Sequence, residues 1–259
     1  MKKTLITLSL GLFVTTSLLA QDENEYSSDS KSSKVRFGAY IAPNISWMRP
    51  ANSKSSDGAY NVTNNGSKTG FTWGILMDYW FADRYALATG LQINGTGGKI
   101  VASRIDQTAT PNTVYNADFN YNLQYLEIPV NIKLKTAPIT NGMYFFGQAG
   151  LTGGFNIGKK ATYTVKATDA LNNMQDYSEE KVKLSGTLAV APMNFQLNVG
   201  LGVHYPFSDR MAAYAGLFFN NGFAPDVTNP AKYNLIYPGS YSDGNIRLNN
   251  FALRLGLFF

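Results

Sequence analysis

From Val35 onward, large apolar residues recur at every second position in run after run of the chain. The stretch "FQLNVGLGVHY" (195–205) sets Phe195, Leu197, Val199, Leu201, Val203 and Tyr205 on one face. Gln196, Asn198, Gly200, Gly202 and His204 fall on the other. Period two is the pattern of a β-strand whose faces meet different surroundings. It predicts strands at 35–48, 70–81, 85–100, 120–135, 143–158, 191–206, 211–222 and 247–259. No segment combines a sustained helical period with caps.

The connections alternate in length. Those at 82–84, 136–142 and 207–210 are short and built from turn residues. Those at 49–69, 101–119, 159–190 and 223–246 are long and polar, the first reading "RPANSKSSDGAYNVTNNGSKT". Eight antiparallel strands with short joints at one end and long ones at the other describe an all-β, up-and-down transmembrane β-barrel. Aromatics gather toward the short-joint end at Tyr79, Trp80, Phe81, Tyr85, Tyr144, Phe145, Phe146, Tyr205 and Phe207, as an interfacial girdle requires. A soluble barrel of lipocalin type would show similar alternation but turn its apolar face inward.

The pattern slips in one strand. Tyr121, Leu123 and Tyr125 occupy odd positions, and Leu126, Ile128, Val130, Ile132 and Leu134 even ones, so a bulge near Tyr125 is expected. The run at 143–158 is ambiguous on both faces. In the longest connection, 161–167 and 179–187 alternate like strands while 168–178 does not. A paired ribbon rising beyond the membrane with its tip at 168–178 is the expectation. Its projecting edge would suit a protein partner that adds a strand.

Composition sharpens this picture. Charged residues are only 15% of the 259, against about 25% in ordinary soluble domains. The formal charge of +5 falls to +3 without Lys2 and Lys3, too weak and scattered for a nucleic-acid footprint. There is no Cys, hence no disulfide, thiolate metal site or lipoprotein anchor. Residues 1–20, with two lysines and the apolar run Leu5 to Val14, read as a secretory signal peptide, and 21–34 as a flexible polar periplasmic tail. The barrel then spans 35–259. "NFALRLGLFF" (250–259) alternates strictly and ends on Phe259, which resembles the terminal strand that barrel-assembly machinery reads.

Three segments carry a family resemblance: "YLEIPVNIKLKT" (125–136), "GLGVHYPFSDRMAAYAGLFF" (200–219) and "LRLGLFF" (253–259). They resemble the PorT-type outer-membrane β-barrel family, also called the porin family or outer membrane protein beta-barrel domain. The resemblance implies a bacterial outer-membrane location. One branch of that family assists type IX secretion and gliding, and most members have no assigned activity.

Candidate chemistry is thin. His204 is the only histidine and should face the lumen near the periplasmic end, remote from a nucleophile at the extracellular rim. Acidic residues at 21–25 and at Glu179 and Glu180 read as solvated charge, and Asp57, Asp169, Asp226 and Asp243 lack calcium-ligand spacing. "NGTGG" (94–98) lacks the lysine and helix of a phosphate cradle. No catalytic, cofactor or metal site is expected. Arg36, Asp78, Glu127, Lys133 and Arg254 all fall on inward faces, and an eight-strand barrel has an interior that side chains just fill. Buried charges must pair, so a salt-bridged plug is expected.

These readings converge on a monomeric, non-enzymatic outer-membrane barrel acting in envelope structure or through its surface loops. The competing readings are a narrow solute channel and an accessory barrel of protein secretion. Expected partners are the lipid bilayer and its lipopolysaccharide, the assembly machinery at Phe259, and a protein at 159–190. Nucleic acid and cofactors are not among them.

Overall fold

The structure, a computed structural model, describes residues 34–51, 53–54, 60–106, 113–139, 141–168, 174–183, 189–208, 210–228 and 246–259. The leader and tail expected at 1–33 lie outside these, as do Asp57, Asp169 and Asp243. The strands are β1 (Val35–Pro50), β2 (Tyr60–Asn64), β3 (Ser67–Trp80), β4 (Tyr85–Asp106), β5 (Thr113–Lys135) and β6 (Tyr144–Thr168). They continue with β7 (Met174–Lys183), β8 (Ala189–Val190), β9 (Met193–Pro206), β10 (Ala212–Gly222), β11 (Val227–Thr228) and β12 (Ile246–Phe258).

Eight of them form an antiparallel ring in the order β1, β3, β4, β5, β6, β9, β10, β12. Pairing of β12 with β1, from Gly38↔Phe258 to Pro50↔Ile246, closes it, so no barrel edge is left open. The eight predicted strands are these eight. The short joints are tight turns. In the turn before β6, Asn141 (φ 52°) and Gly142 (φ 74°) both take the left-handed conformation that these residue types tolerate.

Through the membrane band, the apolar face points out. Ile41, Trp73, Ile132, Leu197 and Leu253 are all exposed, and Leu201 is 66% exposed. Their neighbours Asp78, Gln92, Glu127, Asn131, Gln196 and Arg254 are buried inside. A lipocalin-type barrel would be the reverse.

The long connections need correction. The segment expected as a loop at 101–119 is largely a hairpin, with β4 and β5 paired as far as Asp106↔Thr113. The β5–β6 ladder runs to Val114↔Thr168. Strand β3 leaves β4 at Phe71↔Gly95, and β2 takes its place from Asn64↔Ile100 to Tyr60↔Arg104. On the other side β7 pairs β6 from Lys160↔Lys183 to Thr168↔Met174. The ribbon expected from 161–167 therefore exists, but its return strand starts earlier, at Met174. Only 169–173 of the expected tip remain, outside the described residues. The result is an extramembrane sheet in the order β2, β4, β5, β6, β7.

This sheet has an inverted polarity. Ile100, Ala102, Phe119, Tyr121, Leu123, Tyr125, Ala161 and Tyr163 point inward and join Met48, Val190, Val227, Ile246 and Leu248 in one buried apolar cluster. The slip near Tyr125 now has its cause. A register shift does fall between Gln124 and Tyr125, but the extra residue, Ile157, belongs to β6. Strand β5 never changes face: Tyr121, Leu123, Tyr125, Glu127, Asn131 and Lys133 are all buried. What changes at Tyr125 is the environment, from an apolar interior above the membrane to a polar one within it. In β6 the bulge at Ile157 reverses the faces, so apolar residues keep odd numbers on both sides of the boundary, which is why that strand reads ambiguously.

Candidate functional site

The lumen and its roof hold nearly all of the buried polar chemistry. Near the short-turn end, Lys133 Nζ donates to Asp78 Oδ2 at 2.5 Å, and both side chains are 3% exposed. His204 Nε2 lies 3.1 Å from the same ammonium. The imidazole stacks on Tyr144 (4.8 Å) and packs against Phe258 (4.9 Å) and Tyr214 (5.7 Å). Lys133 also stands over Phe146 and Phe258, at 4.6 and 4.9 Å from the ring centres. His204 is thus an inward-facing packing residue at the predicted level. Arg36 is the register partner of Asp78 and stands 5.8 Å over the Phe258 ring.

Deeper in, Glu127 is fully buried and held by amides. It accepts from Gln92 Nε2 (2.5 Å), Asn94 Nδ2 (3.0 Å), Gln196 Nε2 (3.2 Å) and Asn194 Nδ2 (3.4 Å). Donors to a charged acceptor are the strong class of hydrogen bond. Gly154 makes room for this cluster, since a Cβ there would meet Asn194 Oδ1 at 2.3 Å and Glu127 Cγ at 2.7 Å. Gln92 in turn accepts the Tyr40 hydroxyl. Asn44 donates to Thr72 Oγ1 and Asn94 Oδ1. A second chain of amides runs from Gln148 through Asn198 and Asn220 to Asn250.

Arg254 finds π-faces instead, with its guanidinium 4.1 Å over Phe218 and 5.0 Å over Tyr40. The salt-bridged plug therefore needs correcting. Among the described residues the one ion pair is Lys133–Asp78. Glu127 is held by neutral donors because the inward faces of β4 and β9 are rich in amides, whereas Arg254 rests on rings with its Nε unpaired. Period two already sets Gln196 and Asn198 on the inward face, but only the strand registers bring Gln92, Asn94, Asn194 and Gln196 together around Glu127.

Above the membrane-spanning strands the stretch 223–228 folds over the mouth. Asp226 is fully buried there, its backbone bonded to Ile246 and Ala191 and its Oδ2 accepting from Leu248 N–H at 2.9 Å. Strands β8 and β11 pair at Val190↔Val227, both inside the apolar cluster. Burial pushes the Asp226 carboxyl up to about 7 and the Glu127 charge adds to this, against the opposing pull of Leu248 N–H, Tyr125 and Asn194. Asp226 is thus a roof residue rather than a calcium ligand in the open.

A closed eight-strand ring, apolar outside through a membrane-deep band and packed with side chains within, defines a transmembrane β-barrel of the bacterial outer membrane. The family model described as "Outer membrane protein beta-barrel domain" matches residues 19–191, and the chain belongs to that family. The matched segment ends before β9. No curated protein matches the chain. Among solved structures, Neisserial surface protein A is 12% identical with a TM-score of 0.41, over 88% of this chain and 98% of that one. OprG from Pseudomonas aeruginosa is 11% identical with a TM-score of 0.36, over 87% and 94%. The attachment invasion locus protein of Yersinia pestis is 12% identical with a TM-score of 0.28, over 86% and 98%. At these scores the likenesses carry no weight beyond the family assignment.

Proposed function

We propose that this barrel is a non-enzymatic surface-interaction protein whose working part is the extramembrane sheet. The observation that carries this is the free edge of that sheet. Strand β7 pairs β6 on one side, and among the described residues no strand pairs its other side. A row of unpaired backbone groups standing clear of the membrane is a template for strand addition by a partner.

The interior supports the same reading. A lumen occupied by the Glu127 amide cluster and roofed by an apolar core favours a plug over a solute path. The PorT-type resemblance keeps an accessory role in secretion as the form such a partnership would take in that branch. Export through the leader at 1–20, and assembly through the strand ending at Phe259, complete the proposal.

The test replaces Met174–Lys183 with a Gly/Ser chain of equal length. This spares β6, whose residues Ala161 and Tyr163 belong to the buried cluster. The variant should insert and migrate as a folded barrel yet lose a cell-surface interaction of the parent protein. Retention of every such interaction would refute the role of the β7 edge.

A further inference from the structure

On the outward faces of β10, β12 and β1 polarity changes in a fixed order. Leu217, Leu253 and Ile45 are exposed apolar residues of the membrane wall. One step further along the same faces come Phe219, Phe251 and Trp47. These three rings pack together at 4.8 Å (Phe219–Phe251), 5.5 Å (Trp47–Phe251) and 6.2 Å (Trp47–Phe219). Aromatic clusters of this kind sit at the level of the lipid headgroups. The next step gives Asn221, Asn249 and Arg49, and then Arg247.

Two cavities follow that order. Below the rings, an apolar groove of about 710 Å³ runs down the outer wall beside Ile45, Leu201, Leu217 and Leu253. Above them, a polar pocket of about 180 Å³ is lined by Arg49, Arg247, Asn221 and Asn249. Register joins the two: Phe219↔Phe251 borders the groove, and Asn221↔Asn249 borders the pocket two residues further on.

The two arginines are direct cross-strand partners, Arg49↔Arg247, and both are exposed. Like charges directly opposite one another on neighbouring strands repel. No carboxylate among the described residues forms an ion pair with either. Asn249 Oδ1 accepts Gly222 N–H at 3.1 Å, and the amide keeps its N–H donors to offer. The pocket therefore combines positive charge with amide donors and holds no anion among the described residues, placed at headgroup level above a slot of acyl-chain character.

We propose that this surface binds a phosphorylated lipid of the outer leaflet. One phosphate bridges Arg49 and Arg247, which removes their repulsion, and the Asn249 amide adds a donor. One acyl chain descends past the aromatic trio into the groove. Guanidinium groups suit this task because they bind phosphate through two parallel hydrogen bonds. The proposal rests on the outer-membrane location and not on the β7 edge, so each can fail without the other.

The full-length chain in phosphatidylcholine nanodiscs carrying a minor fraction of lipid A, a phosphorylated and acylated disaccharide, provides the test. Native mass spectrometry reads the lipid retained per chain. The parent protein should retain one lipid A in preference to phosphatidylcholine. The Arg49→Ala/Arg247→Ala variant should lose retention by at least about tenfold, and Arg49→Lys/Arg247→Lys should keep part of it, since lysine supplies charge without the bidentate fork. Both variants should keep the heat-modifiable gel mobility of a folded barrel, as both sites are exposed. Inorganic phosphate and the deacylated headgroup separate the two sources of phosphate, and each should compete at least about tenfold more weakly than lipid A, because neither fills the groove. Equal retention by the alanine variant would overturn the site. Equal competition by inorganic phosphate or by the deacylated headgroup would overturn the lipid as its ligand.

Discussion

Substituting Lys133 by Met tests whether the lumen is a dry plug. Lys133 and Asp78 are both buried, with the ammonium and carboxylate 2.5 Å apart. Methionine keeps much of the volume and the contacts with the Phe146 and Phe258 rings. It leaves the Asp78 carboxylate buried without its cation. Removing one partner of a buried pair costs about 3–5 kcal/mol, mostly as the desolvation of the charge left behind. Removing both charges costs far less, so Asp78→Asn combined with Lys133→Met should lie within about 1 kcal/mol of the parent. Because Asp78→Asn alone strands the buried ammonium at a similar cost, the double-mutant cycle should then give a coupling of about 5 kcal/mol or more. Urea titration of the protein inserted in lipid bilayers measures these values, followed by heat-modifiable gel migration and tryptophan fluorescence. Trp73 stands exposed on the lipid-facing wall and reports insertion. A cost below about 1 kcal/mol for Lys133→Met alone would mean that water reaches Asp78. The lumen would then be a wet passage and the plug reading would fall.

The terminal strand offers a sharper register test: Leu253→Arg or Leu255→Arg should cost about 2–4 kcal/mol near the bilayer midplane, while Arg254→Leu should leave insertion intact. Membrane-fraction yield and urea stability measure both, and cysteine labelling that found 253 water-accessible and 254 in lipid would refute the register. Planar-bilayer recordings of purified protein should show no steady conductance, since side chains fill an eight-strand lumen. A lasting channel altered by Glu127→Gln would promote the solute-channel reading. For the roof, the folded Asp226 carboxyl titrates near 7 against an ordinary value of 3.8, so the folded state holds the proton more tightly. Its contribution is therefore greatest at pH below about 4, weakens as pH rises toward 7, and is flat above that. Hydrogen exchange at 223–228 should speed up across that window, and Asp226→Asn should abolish the dependence; an unchanged pH profile in the variant would refute it.

The barrel itself is legible because a strand between lipid and a filled lumen sorts its side chains with period two. Phe195 to Tyr205 on β9 and Phe251 to Phe259 on β12 each declare a lipid face that the structure shows exposed. The connections were less legible. Residues 101–119 read as a loop because alternation there is weak and polar, yet they continue β4 and β5 by backbone pairing, which side-chain pattern does not report. Charge placement was half legible. Parity put Asp78, Glu127, Lys133 and Arg254 inside correctly, but parity says nothing of how far apart two inward groups on different strands stand. Glu127 meets Gln92 and Asn94 from one neighbouring strand and Asn194 and Gln196 from across β6. That convergence depends on strand stagger, which only the registers reveal.

The same parity argument locates the upper edge of the membrane without any reference to lipid. On β1 the inward residue changes from Ser46 to Met48 as the outward one changes from Trp47 to Arg49. On β12, read toward the same end, Asn250 gives way to Leu248 inside while Phe251 gives way to Asn249 and Arg247 outside. On β4 the lumen residues Gln92, Asn94 and Thr96 are followed by Ile100 and Ala102. On β5 the change falls between Glu127 and Tyr125. Along β1, β5 and β12 an apolar exterior and polar interior give way to the opposite, as the hydrophobic effect demands when the outer solvent turns from hydrocarbon to water. A barrel that only needed to span the membrane could end at this line. Instead, β4, β5 and β6 continue past it over an apolar core of their own, with β2 and β7 paired to their flanks. Order of that kind costs conformational entropy, and a passive surface loop has no need of it. The ordered sheet above the membrane is therefore the part of the molecule on which the proposed surface interaction rests.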